Sequence, residues 1–145
     1  MEPVIFIILI GLAGGAAVGL QSPLASMISQ RLGILESVFI VHLGGAIIAL
    51  VPLLWMGGGK LLQWRSVPWY ALCAGVFGVV VIAAISYMIP RVGVAASITV
   101  IVAGQLLVGL FLDHFGLLDV SLRPIDATRV LGIGVVLVGV WLTVK

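Results

Sequence analysis

Charged residues in this 145-residue chain are so widely spaced that the neutral stretches between them are long enough to cross a membrane. Glu2, Arg31, Glu36, Lys60, Arg65, Arg91, Asp113, Asp119, Arg123, Asp126, Arg129 and Lys145 bound neutral runs at Pro3 to Gln30, Ser37 to Gly59, Ser66 to Pro90, Val92 to Leu112 and Val130 to Val144. About 20 apolar residues, rising 1.5 Å each, cover a ~30 Å hydrocarbon core. The first four runs meet that length. The fifth is shorter, but Pro124 suits a first helical position, and Arg129 and Lys145 have stems long enough to snorkel to the two interfaces. Five spanning helices are expected, at roughly 3–30, 37–57, 67–90, 93–112 and 124–144, in a single transmembrane domain over 1–145.

Composition closes off the alternatives. Only 8% of residues are charged, 63% are hydrophobic and the mean hydropathy is +1.39, whereas a soluble domain carries roughly a quarter of its residues charged. A soluble enzyme, a nucleic-acid binder and a disordered chain are excluded on that ground. The pI near 9.1 comes from seven bases and five acids scattered along the chain, with no basic stripe. The apolar runs are continuous, where a barrel strand would alternate apolar and polar residues over about ten positions. Cys73 is the single cysteine and sits in an apolar run, so no disulfide framework or thiol metal site is expected. The Met-Glu-Pro start lacks a basic n-region, and its apolar run outlasts a signal-peptide h-region, so helix 1 reads as retained. The connections are short and leave no room for an extramembrane domain.

With five spans the termini lie on opposite faces. Lys60, Arg65, Arg123 and Arg129 then share the N-terminal face, and Arg31, Arg91 and Lys145 the other. Orientation follows an excess of Lys and Arg on the inner side, and here the division is nearly even. Counting Glu2, Asp113, Asp119 and Asp126 with the first face and Glu36 with the second reverses the sign of the bias. Insertion in both orientations is expected, and with it an antiparallel homodimer.

Within the helices the polar residues are few. Helix 1 carries Gly11, Gly15 and Gly19 at four-residue spacing, a small-residue face that permits close helix approach in lipid. Gln21, Ser22 and Pro23 follow. Pro23 removes a backbone hydrogen bond and is expected to kink the helix, which makes Gln21, Ser22 and Ser26 candidates for a polar wall; serines at such positions also bond their own backbone. His42 in helix 2 lies near Gly44 and Gly45, and an ionisable group inside a membrane is a functional candidate by default. Ser97 and Gln105 share a broad face of helix 4. An unpaired amide at the depth of Gln105 costs several kcal/mol, so it must face a partner helix or a wet cavity. Asp113 and His114 at the end of that helix read as a helix stop, a charge-assisted pair or a gate. Gly132 and Gly139, seven apart in helix 5, form a packing seam suited to a dimer.

The run Gly104-Gln105-Leu106-Leu107 leading to Asp113-His114-Phe115-Gly116, the Pro90-Arg91-Val92-Gly93 turn, and Arg123-Pro124 with Gly132 after it carry a resemblance. The chain resembles the YdcZ-type family of small bacterial inner-membrane proteins in the drug/metabolite transporter superfamily, most closely from Pro68 to Val144. That family often has Asn four residues after a helix 1 Gln; here Ala25 stands four after Gln21. The resemblance implies an all-α membrane protein that is half of an inverted-repeat, ten-helix transporter fold, completed as an antiparallel homodimer in the bacterial inner membrane. Its site would be a central cavity near the bilayer midplane, walled by helices 1 to 4 and lined by Gln105, Gln21 and Ser97, with Ser22 and His42 as further candidates. Asp113, His114 and Pro23 would serve gating or helix ends, and Gly11, Gly15, Gly19, Gly132 and Gly139 packing. Unlike the related small multidrug resistance transporters, helix 1 has no mid-membrane carboxylate. A small neutral or amphiphilic solute therefore suits the site better than a permanent cation.

The function expected is export of such a solute by a dual-topology homodimer through alternating access. A passive pore, a lipid-handling protein and a non-transporting structural subunit are the alternatives. No catalytic constellation, metal-ligand spacing or cofactor motif is present. The partners expected are a second copy and the lipid bilayer, and no nucleic acid.

Overall fold

A computed structural model describes residues 4–145, so the Met1-Glu2-Pro3 start lies outside the described residues. All regular structure among them is helical: α1 (Val4–Leu32), α2 (Ile34–Trp55), a 3-10 helix at Leu61–Ser66, α3 (Trp69–Leu72), α4 (Ala74–Val92), α5 (Val94–Phe115) and α6 (Ala127–Val144). Five segments are long and apolar enough to span a membrane: Val4–Leu32, Ile34–Trp55, Trp69–Val92, Val94–Phe115 and Ala127–Val144.

The helix ends differ from the expected ones for local reasons. A connection was expected from Arg31 to Glu36, but one residue, Gly33, separates α1 from α2. Its N–H donates to Ser29 O at 3.0 Å and its carbonyl accepts from Ser37 N–H at 3.1 Å, so both helices use it as a terminus. Gly33 has φ 121°, which a residue with a Cβ rarely adopts, and the Glu36 carboxylate occupies the place a Cβ would take. Gly93 repeats the arrangement between α4 and α5, with φ 85°, an N–H to Ile89 O at 3.0 Å and a carbonyl accepting from Ser97 N–H at 3.2 Å. Arg31-Leu32-Gly33-Ile34 and Arg91-Val92-Gly93-Val94, each with a serine four residues after its glycine, are thus one junction used twice.

α1 continues through Pro23 as helix. The ring fixes a φ that a helix accepts and deletes the N–H that would reach Gly19 O. The third span is less regular at its entrance. Val67 and Pro68 end the 3-10 turn, and Cys73 interrupts the helix between α3 and α4. α5 runs on to Phe115, where Gly116 in the left-handed conformation ends it. α6 starts at Ala127, after Pro124, because the Asp126 carboxylate accepts the Arg129 N–H at 2.9 Å and caps the helix there.

The chain forms two compact units, Met1–Tyr87 and Met88–Lys145. In the first, Ala25, Val38 and Ile82 are buried together with Val41 against them. Ser22, Ser26 and Ser37 are buried beside this small core, and the Ser37 hydroxyl crosses from α2 to α1, donating to Ala25 O at 2.7 Å. Small side chains at this crossing let the two backbones approach, which is how helices associate where lipid removes the hydrophobic drive. In the second unit Ala96, Ser97 and Ala103 are buried on α5, which packs on α6.

Candidate functional site

In the first unit a hollow of about 390 Å³ is lined by Gln21 of α1, Val41, His42 and Gly45 of α2, and Gly78, Val81 and Ile82 of α4. His42 lies 8 residues into α2 and Gln21 11 residues before the end of α1, roughly 12 Å and 17 Å from those ends at 1.5 Å per residue. Both are at membrane depth. The His42 Nδ1 is 2.8 Å from Val38 O, one turn back on its own helix. A carbonyl only accepts, so Nδ1 carries the hydrogen, and in the neutral ring Nε2 is a bare lone pair. Gly78 makes room for that edge of the ring: a Cβ at residue 78 would come within 2.6 Å of Nε2. Gln21 makes no hydrogen bond among the described residues. The hollow thus holds an amide and an imidazole lone pair against otherwise apolar walls.

Gln105 lines a different groove, in the second unit, between Leu106, Gly109 and Leu110 of α5 and Arg129, Gly132, Ile133 and Val136 of α6, with a volume of about 380 Å³. Its amide is exposed on the middle of α5 and has no hydrogen-bond partner among the described residues. Arg129 closes one end of the groove and is held in place, its Nη1 3.3 Å from both Asp113 Oδ2 and Arg123 O and its Nε 3.9 Å from Asp126 Oδ2. It does not extend freely toward an interface, as the sequence suggested.

Ser97 is fully buried and donates to Gly93 O at 2.6 Å, and Ser22 is buried and donates to Val18 O at 2.7 Å. Each hydroxyl bonds its own helix four residues back, as serines in apolar helices do when no better acceptor is near. Pro23 lies one residue from Ser22 within continuous helix. Asp113 and His114 tie down the loop after α5: Asp113 O accepts the Arg123 N–H at 2.7 Å, and the His114 Nδ1 accepts the Ile125 N–H at 3.1 Å. Gly11, Gly15, Gly19, Gly132 and Gly139 each have open space where a Cβ would stand, with no atom of the described residues within 4 Å of it.

Sequence reasoning missed Gly78, Val81 and Ile82, which complete the hollow opposite His42, and the role of Arg129. The signal for Gly78 was present as the pair Gly75 and Gly78 early in the third neutral run. That either glycine faced the histidine depends on helix rotation, which a run with few polar marks does not disclose. Among the described residues no three His, Cys, Asp or Glu side chains gather as a metal site.

Residues 6–142 match the drug/metabolite transporter family described as "Putative inner membrane exporter, YdcZ". The chain is 30% identical over 139 residues to "Inner membrane protein YdcZ" of Escherichia coli (strain K12), an alignment that covers 92% of this chain and 91% of that protein. No solved structure matches it. The description of the matching family names export, and no enzymatic activity.

Proposed function

The chain belongs to the YdcZ family of multi-pass bacterial inner-membrane proteins, and from that premise we propose that it exports a small neutral or amphiphilic solute as an antiparallel homodimer working by alternating access. The observation that carries this reading is the pair of partnerless amides. Gln21 and Gln105 stand on spanning helices, exposed on the surface of the chain. Hydrocarbon cannot satisfy them, at a cost of several kcal/mol each. A second copy that brings each amide against polar groups or water removes that cost, and the glycine stripes of α1 and α6, where a Cβ would meet open space, offer it close-packing faces. The near-even division of Lys and Arg supports insertion in both orientations. The hollow beside His42 is lined by an amide and an imidazole among apolar residues, with no charged side chain, which suits an uncharged solute.

Two experiments test this. Single cysteines placed at each terminus, in a chain with Cys73→Ala, should label from both sides of the membrane in intact cells; labelling from one side only sinks the antiparallel dimer. Reconstituted protein should move solute with saturable kinetics that Gln105→Leu abolishes, and non-saturating flux would identify a passive pore instead.

A further inference from the structure

The arrangement around His42 narrows the solute class. It rests on the reading of the first-unit hollow as part of the solute path, and it adds which atoms would choose the solute. The Nδ1–H is committed to Val38 O at 2.8 Å, so rotation of the ring to present a donor would break an existing bond. Nε2 faces Gly78, where the absence of a side chain leaves its edge open, and it makes no hydrogen bond among the described residues. Among the described residues lining the hollow none is charged: α1 contributes Gln21, α2 Val41 and Gly45, and α4 Gly78, Val81 and Ile82. The ring therefore presents, into a largely apolar hollow, an acceptor that no protein group engages among the described residues. A volume of about 390 Å³ is within the range of small-molecule pockets.

We infer that His42 Nε2 is a selective acceptor, so that this hollow takes small, largely apolar solutes bearing an N–H or O–H donor and discriminates against isosteres that lack one. A site built around an unpaired polar group rejects the analogue that leaves it unpaired far more strongly than an apolar wall rejects an extra methyl. Gln21 supplies a second polar contact, and a quaternary ammonium, having no donor, is not a ligand.

The test uses the full chain in lipid nanodiscs, labelled with ¹⁵N-histidine, at mildly alkaline pH, with His42 assigned against a His42→Gln sample or, if that variant does not fold, by a His114→Gln sample. His42 should show a protonated Nδ1 and a bare Nε2. Titration with indole, phenol and benzamide should move the Nε2 resonance. Their methylated partners, N-methylindole, anisole and N,N-dimethylbenzamide, should bind about tenfold more weakly, which is the value of one hydrogen bond of ~1.4 kcal/mol. A protonated Nε2, equal responses within every pair, or no response to any donor overturns the inference. Binding is read here without transport, so donor-selective binding by a chain that moves no solute would leave this inference standing and remove the exporter reading.

Discussion

The imidazole of His42 and the backbone of Gly78 are fitted to one another: Nε2 lies within 2.6 Å of the place where a side chain at residue 78 would begin. This fit predicts a strong effect from the smallest substitution. Gly78→Ala drives a methyl into the ring edge, and the ring cannot turn away without losing its 2.8 Å bond to Val38 O. Overpacking of this kind costs about 1–3 kcal/mol. The thermal midpoint in detergent should fall, and adding His42→Ala should restore most of it. Costs that simply add in the double variant would show that the two residues do not meet.

Ser37 provides a second, smaller prediction. Its hydroxyl bond to Ala25 O at 2.7 Å joins α1 to α2, but Ala25 O also accepts within its own helix, so Ser37→Ala removes one bond without stranding a carbonyl. Interhelical bonds in membranes are worth about 0.6 kcal/mol on average. Ser37→Ala should therefore unfold only slightly earlier, whereas Ser37→Leu, which puts bulk into a position with no exposed surface, should destabilise severely. Equal effects of the two variants in a denaturation series would show that the crossing is not tightly packed.

Spans were legible in the sequence because charge exclusion from hydrocarbon is the strongest constraint on such a chain; all five expected spans overlap those in the structure. Their ends were less legible. Gly33 was hidden inside an expected connection because Arg31 and Glu36, the charges around it, each lie within one turn of a helix junction that needs only one residue. Pro124 looked like a helix start, but Asp126 wins that role by accepting an amide, which proline position alone does not reveal. Within the candidate sites, residue types were readable and facing was not. Gln21 and His42 stood out as polar groups in apolar runs, while Gly78 is one of many glycines and acquires meaning only from the ring it accommodates. At Ser22 and Ser97 a hydroxyl in an apolar run signals polarity without saying whether it bonds a neighbour or, as the structure has it, its own backbone.

Arg129 makes the loop after α5 sensitive to charge. It bonds Asp113 at 3.3 Å, with both side chains about 30% exposed, and also reaches Arg123 O. For a partly exposed pair the ion-pair term is small, about 0–1 kcal/mol, and screened by salt. Asp113→Asn should thus lower stability by less than Arg129→Ala, which also unbinds the loop carbonyl. The coupling energy from a double-variant cycle should shrink between low and high salt. A coupling indifferent to salt would point to packing of the arginine stem along the groove beside Gln105 instead.

His114 sets the closing prediction, which concerns the same loop through a different atom. Its Nδ1 accepts the Ile125 N–H at 3.1 Å, and Ile125 lies two residues before the start of α6, in the segment that Asp113 O and Arg123 N–H also hold. Leu118 and Asp119, with φ 58° and 60°, make this loop costly to keep in one shape, by about 1–3 kcal/mol for each such residue, so its tethers have work to offset. Removing the acceptor in His114→Ala leaves the Ile125 amide to solvent. Its hydrogen exchange should quicken by about tenfold or less, the range of one neutral hydrogen bond, while amides in the middle of α5 and α6 stay protected. His114→Asn, which offers a shorter side-chain acceptor, should recover part of the protection. Uniform acceleration across both helices in His114→Ala would mean that the imidazole supports the helix pair as a whole and not the loop alone.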